Sequence, residues 1–230
     1  ESTADKLNAD RKLKIAVIKN YIDEASQQVK EALNLTIEKL KSFGHEIIYR
    51  DLCSSKYDIA TYYIIATAEA SANLSRYDGV RYGNRAKALN LKELYANTRG
   101  EGFGDEVKRR MLLGTFVLSS GYYDAYYIKA QKARAFIKSE YEEILKDADL
   151  IFMPIAPGVA YKFGELKNPL DSYLSDIYTI SVNLAGLPAI SVPVAKDADG
   201  LNVSAQLIAK AWDEKTLLEG ALSLENSIKG

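Results

Sequence analysis

Arg109 and Asp176 are the side chains whose type and setting most readily suggest chemistry. Asp176 stands in DSYLSDIYTISVNLAGLPAISVPV, Asp171 to Val194, where Leu174, Ile177, Tyr178 and Val182 recur at helical spacing. That pattern predicts a helix made for burial with a carboxylate inside it. A buried carboxylate is costly unless a cation or several donors meet it. Lys108, Arg109 and Arg110 are three consecutive cations in a second predicted helix, Asp105 to Leu118. Consecutive helical positions fan over about 200°, so the three cannot all face one way. One of them can point inward while the others are solvated, and Arg109 with Asp176 is the odd pair of the chain.

Other constellations are missing. His45 is the only histidine and Cys53 the only cysteine. A histidine-based triad, a Cys/His metal site and an internal disulfide are therefore excluded. No G-x-S-x-G elbow occurs. Gly100, Gly102 and Gly104 in GEGFG lack both a GxxxxGK[ST] pattern and a preceding strand, so a turn is the better reading than a phosphate loop. Ser119-Ser120-Gly121 reads as a turn between helices, without the glycine-rich oxyanion loop of an acyl-transfer site.

The elements that must position the pair follow from periodicity. Leu13 to Ile18 reads as a strand, Glu24 to Phe43 as a helix closed by Gly44, and His45 to Leu52 as a second strand, together a parallel βαβ unit. His45, at a strand entrance, reads as structural. Asp58 to Ser75 is a long helix whose small residues, Ala66 to Ala72, predict close packing. Asn90 caps a short helix, Leu91 to Thr98. Gly121 to Leu145, containing YYDAYY, reads as one amphipathic helix, and its tyrosines as packing at the core edge rather than a base-stacking platform. Leu150 to Ile155 is a strand leading into PIAPG. Gly186 and Pro188 stop the helix around Asp176, and Ala189 to Val194 has the look of a strand covered on both faces. Val203 to Ala209 is a last strand, and Asp213 caps a final helix, Glu214 to Ile228. The class is α/β: a mixed, mostly parallel central sheet flanked by helices.

Composition narrows the function classes. The chain has 230 residues, 47% of them hydrophobic, enough for a substantial core. With 30 basic and 31 acidic residues its net charge is -1, which carries no nucleic-acid footprint. No apolar run reaches the roughly 18 residues of a membrane span. The polar start ESTADKLNADRKLK predicts no secretory leader, and a single thiol fits a reducing cytosol. A cytoplasmic location is expected.

Several blocks occur in one order: KLKIAVIKN, AEASANLSRYDGVRYG, TRGEGFGDEVKRRMLLGTFVLSSGYYDAYYIKAQKAR, PLDSYLSDIYTISVNLAGLPAISVPV and QLIAKAWDE. Over nearly its whole length the chain resembles the A-subunit family of the bacterial glutamyl-tRNA(Gln)/aspartyl-tRNA(Asn) amidotransferases, which are amidase-signature proteins. The resemblance implies part of the amidase-signature fold and a glutaminase that supplies ammonia for converting Glu-tRNA(Gln) to Gln-tRNA(Gln). It also implies that residues 1–230 are the C-terminal half of one amidase-signature domain. The Ser, cis-Ser, Lys triad would precede them, so no catalytic residue is expected in this chain and it should be inactive alone. The family's glutamine-recognition residues carry over to Arg109, Asp176 and Tyr62, with Arg110 and Tyr63 the alternatives if the register is off by one. No metal or cofactor is expected here; ATP and Mg²⁺ would belong to the partner subunit. The implied partners are the B and C subunits and free glutamine, with tRNA held mainly by the partner and no membrane involved. Another amidase-signature hydrolase, or a stand-alone α/β binding domain with a structural Arg/Asp pair, are the competing readings. Half of a continuous domain should also leave apolar surface uncovered along Ala189–Val194.

Overall fold

The computed structural model describes residues 7–165 and 175–229. They fall into two compact units: residues 7–59 with 134–165 and 175–229, and residues 60–133.

The larger unit is built on a five-stranded sheet ordered β2-β1-β3-β5-β4. Its strands are β1 (Lys14–Ile18), β2 (Glu46–Arg50), β3 (Leu150–Pro154), β4 (Ala189–Lys196) and β5 (Asn202–Ala209). The β1–β2 and β1–β3 pairs are parallel, whereas β3–β5 and β4–β5 are antiparallel. The expected mixed sheet is thus present, but it is half parallel and half antiparallel rather than mostly parallel, because β5 enters between β3 and β4 against their direction. The central strands read as continuous apolar runs because both faces are covered: every residue of β3 is buried.

α2 (Gln27–Ser42) is the helix expected from Glu24 to Phe43, and α1 (Lys19–Glu24) is a short helix before it that periodicity did not show. Ser26 separates the two. Its hydroxyl accepts from the Val29 N–H at 3.4 Å, and its own N–H donates to Pro157 O at 2.8 Å. α2 then buries Val29, Leu33, Ile37 and Leu40, one stripe of the helix, in the core with β1, β3 and β5. The first turn of α3 (Ser55–Leu74), most of α6 (Lys129–Asp147), α7 (Ile177–Ala185) and α8 (Glu214–Lys229) complete this unit. Gly220 of α8 lies so close to the sheet that a Cβ there would meet Leu150 Cδ1 at 2.2 Å.

β4 departs from expectation. It is an edge strand on which Ala189, Ser191 and Pro193 are exposed while Val192 and Val194 are buried. One face is covered, not two. An apolar run cannot distinguish these cases, because alanine, serine and proline are tolerated on an open edge.

The smaller unit holds the rest of α3, α4 (Leu91–Gly102), α5 (Asp105–Val117) and a π-helical turn, Asp124–Ile128. α4 runs through Gly100 and Gly102, so GEGFG is a helix end rather than a free turn. The long helix expected from Gly121 to Leu145 is present: it opens on that π turn, which passes directly into α6. The small residues of α3 pack as expected: a Cβ at Gly114 of α5 would sit 2.0 Å from Thr67 O. The tyrosines of YYDAYY face outward more than a core edge requires. Tyr122 and Tyr126 form an exposed aromatic group with Phe116, with centroids 4.2 Å apart for Phe116–Tyr122.

Candidate functional site

Asp176 is the N-cap of α7 and is exposed. This overturns the expected buried carboxylate. α7 does bury Tyr178, Ile180, Val182 and Leu184, but Asp176 precedes its first turn and escapes that packing. Leu174 and Asp171 lie outside the described residues. An aspartate at an N-cap ordinarily accepts from the second or third helical N–H; here the carboxylate makes no such bond. Its main-chain carbonyl is the group engaged. It accepts from the Thr179 N–H at 3.0 Å, the Ile180 N–H at 3.2 Å and the Thr179 hydroxyl at 3.0 Å.

Asp176, whose carboxylate makes no cap bond, lines a cavity of about 760 Å³ within the larger unit. The loop after β3, including Pro157 and Tyr161, forms one wall, and Asn202 and Ser204 at the start of β5 form another. Ser175 and Thr179 add hydroxyls beside Asp176, and Tyr161 reaches Ser175 at 3.4 Å. Among the described residues, Asp176 is the one charged group lining it. Such a site favours a cationic group carried on a small, partly apolar ligand.

Arg109 and Tyr62 stand in the smaller unit, Asp176 in the larger. Arg109 is exposed and bonded to Glu106 on its own helix. It is therefore not the cation turned inward. That is Arg110, whose guanidinium lies 5.7 Å from the Tyr63 ring and donates to Glu106 at 2.9 Å. Glu106 raises the Arg110 pKa further above its ordinary value. Tyr62 is half-buried and packs edge-on against Tyr63, centroids 5.2 Å apart.

A second carboxylate, which periodicity alone did not single out, is the buried one. Asp58, in the first turn of α3, is 0% exposed. The Tyr21 hydroxyl donates to its Oδ2 at 2.6 Å. Its Oδ1 and the Ser54 Oγ are both buried without a hydrogen-bond partner among the described residues. Nearby, the Glu140 carboxylate accepts from the Cys53 and Ser54 N–H groups at 3.0 and 2.8 Å, and Tyr141 shares a hydrogen with Ser181 at 2.8 Å. Burial pushes the Asp58 carboxyl up to about 6; the Tyr21 bond opposes the shift and the Glu140 charge adds to it. Burial also raises Tyr21 and Tyr141, and it pushes Tyr178 up to about 12. A signal was present in KYDIATYYII, where one acid precedes a long apolar helix.

His45 is structural, as expected. Its Nδ1 accepts from the Leu13 N–H at 3.1 Å, so the proton sits on Nε2, which donates to Ser223 at 2.9 Å. Burial, with Lys12 nearby, lowers its pKa. No cluster of metal-ligating side chains occurs among the described residues. No described helix is long and apolar enough to cross a membrane.

The chain is 77% identical over 229 residues to the glutamyl-tRNA(Gln) amidotransferase A subunit of Campylobacter hominis, covering 100% of this chain and 51% of that protein. The protein of the same name from Campylobacter curvus is 73% identical, again with 51% covered. The chain thus spans about half the length of the curated relatives it matches. Among solved structures, the glutamyl-tRNA(Gln) amidotransferase A subunit of Thermotoga maritima superposes with a TM-score of 0.70 at 36% identity, over 93% of this chain and 42% of that one. A crystal structure described as an amidase, at 18% identity and a TM-score of 0.71, shares the fold over 94% of this chain and 46% of that one. The sequence profile of the family described as Amidase matches residues 1–218, and the chain belongs to the amidase family.

Proposed function

We propose that this chain is the glutamine-recognising half of an amidotransferase A subunit. In this reading it forms part of one amidase-signature domain. The serine nucleophile, bridging serine and lysine base stand in the part of the longer relatives that this chain does not span. Glutamine is hydrolysed through a serine acyl-enzyme, and the released ammonia passes to a partner that activates Glu-tRNA(Gln) with ATP and Mg²⁺. The B and C subunits are the partners, tRNA is held mainly by them, and the setting is cytoplasmic translation.

The observation that carries the reading is Asp176 on the wall of a 760 Å³ cavity, with no hydrogen bond to its carboxylate among the described residues. We assign the α-ammonium of glutamine to the Asp176 carboxylate and the α-carboxylate to Arg109, with Tyr62 as a third recognition residue. An ammonium calls for a carboxylate and a carboxylate for a guanidinium, each bond worth about 1.5–3 kcal/mol when one partner is charged. Glu106 holds the Arg109 side chain in the absence of ligand, so glutamine has to compete with that bond.

The test uses the full-length protein in complex with its partners. Asp176→Ala or Arg109→Ala should raise the KM for glutamine by about 10- to 100-fold. An unchanged KM in both variants refutes the recognition role. The 230-residue chain alone should hydrolyse no glutamine.

A further inference from the structure

We infer that Thr179 is the second acceptor of the ammonium subsite and sets its preference for a primary ammonium group; this rests on the proposed glutamine reading. Two observations carry it. Thr179 lines the same cavity as Asp176, one turn along α7. Its hydroxyl proton is committed, at 3.0 Å, to the main-chain carbonyl of Asp176. A hydroxyl has one proton and two lone pairs. With the proton spent, only acceptor capacity is left for a ligand. The Asp176 carboxylate is likewise acceptor-only when ionised. Two acceptors side by side match a group with several donors, such as R–NH₃⁺, and reject a carboxylate or a carbonyl.

The N-terminus of α7 acts the other way, since its free N–H groups carry about half a positive charge. The full negative charge of Asp176 at the same end exceeds it, so the local balance still favours a cation. The Thr179 hydrogen bond has a second consequence. With the two N–H donors it fixes the Asp176 carbonyl at three points, which holds the residue at the cavity wall while leaving its carboxylate unused.

The experiment uses the full-length protein with its partners, assayed for glutaminase activity. The substrates are glutamine and glutaramate, which has the same amide but no α-ammonium. Thr179→Val keeps the shape and removes the hydroxyl. It should raise the KM for glutamine by about three- to tenfold, with the loss falling on KM rather than kcat. For glutaramate the loss should shrink to less than about twofold, and Thr179→Ser should restore the glutamine KM. A Thr179→Val effect of equal size on both substrates, or none on glutamine, overturns the inference. Asp176→Asn is the control. If it raises the glutamine KM while Thr179→Val does not, the recognition reading stands and the Thr179 role falls. If Asp176→Asn also has no effect, both fall.

Discussion

Asp58 and Asp176 belong to the same unit and stand at the beginnings of helices, α3 and α7, yet their surroundings are opposite. Asp58 is sealed from solvent, holds one donor, the Tyr21 hydroxyl, and leaves Oδ1 without a partner. Asp176 is exposed, has its main chain fixed by three donors and leaves its whole carboxylate free among the described residues. The first is a stability problem solved by holding a proton more tightly. The second is a charge kept ready for a ligand. The difference comes from one turn of helix. Asp58 lies inside its helix, on the side facing Tyr21, whereas Asp176 caps its helix from outside.

Replacing Asp58 with Asn gives the largest expected effect on stability. With a folded value of about 6, against about 3.9 unfolded, the native state binds the extra proton between these values. Stability from this group is therefore fully present below pH 4 and is lost as pH rises through 6. Asp58→Asn removes the titration and should raise unfolding free energy by on the order of 2–3 kcal/mol above pH 7, with little gain near pH 4. Urea unfolding across pH 4–8 measures it. A variant that is equally stabilised at both ends would erase the contrast with Asp176.

Tyr21→Phe should act in the opposite direction. It leaves both Asp58 oxygens without a donor and should destabilise by about 1–3 kcal/mol at pH 7.5, less at pH 5 where the carboxyl is mostly neutral. The same titration series reads this, and a pH-independent loss would count against a charged Asp58 at neutral pH.

His45 supplies a pH dependence of the opposite sign. Its folded pKa is lowered, so its contribution is present above pH 6.5 and is lost as pH falls below it. Protonation would place a hydrogen on Nδ1, where the Leu13 N–H now donates. Histidine NMR titration should show a midpoint below the ordinary value; a midpoint above 6.5 would contradict the buried neutral ring.

The smallest stability effect belongs to Asp176→Asn, expected within about 0.5 kcal/mol, because its carboxylate makes no cap bond and is exposed. A larger loss in the unfolding curve would show that Asp176 is structural, and the contrast with Asp58 would then disappear.

Much of the architecture was legible in the residues. Apolar runs located the strands, and Gly44, Gly186, Asn90 and Asp213 marked helix ends by local chemistry that needs no distant partner. Asn90 and Asp213 accept from Glu93 and Thr216 N–H groups, and Gly44 and Gly186 take positive φ. The π turn at Asp124 and the contact of Ser26 with Pro157 were not legible, because each depends on what lies across space. Periodicity placed Asp176 on a helix made for burial but could not say that it sits just outside the first turn. It also named three consecutive cations without saying that Arg110, not Arg109, turns toward a tyrosine. By itself, the sequence determined the family, the order of elements and the candidate residues, since these rest on short-range patterns. Only the tertiary structure decided which carboxylate is buried and which is free, because desolvation depends on the elements packed around a side chain and not on its neighbours along the chain.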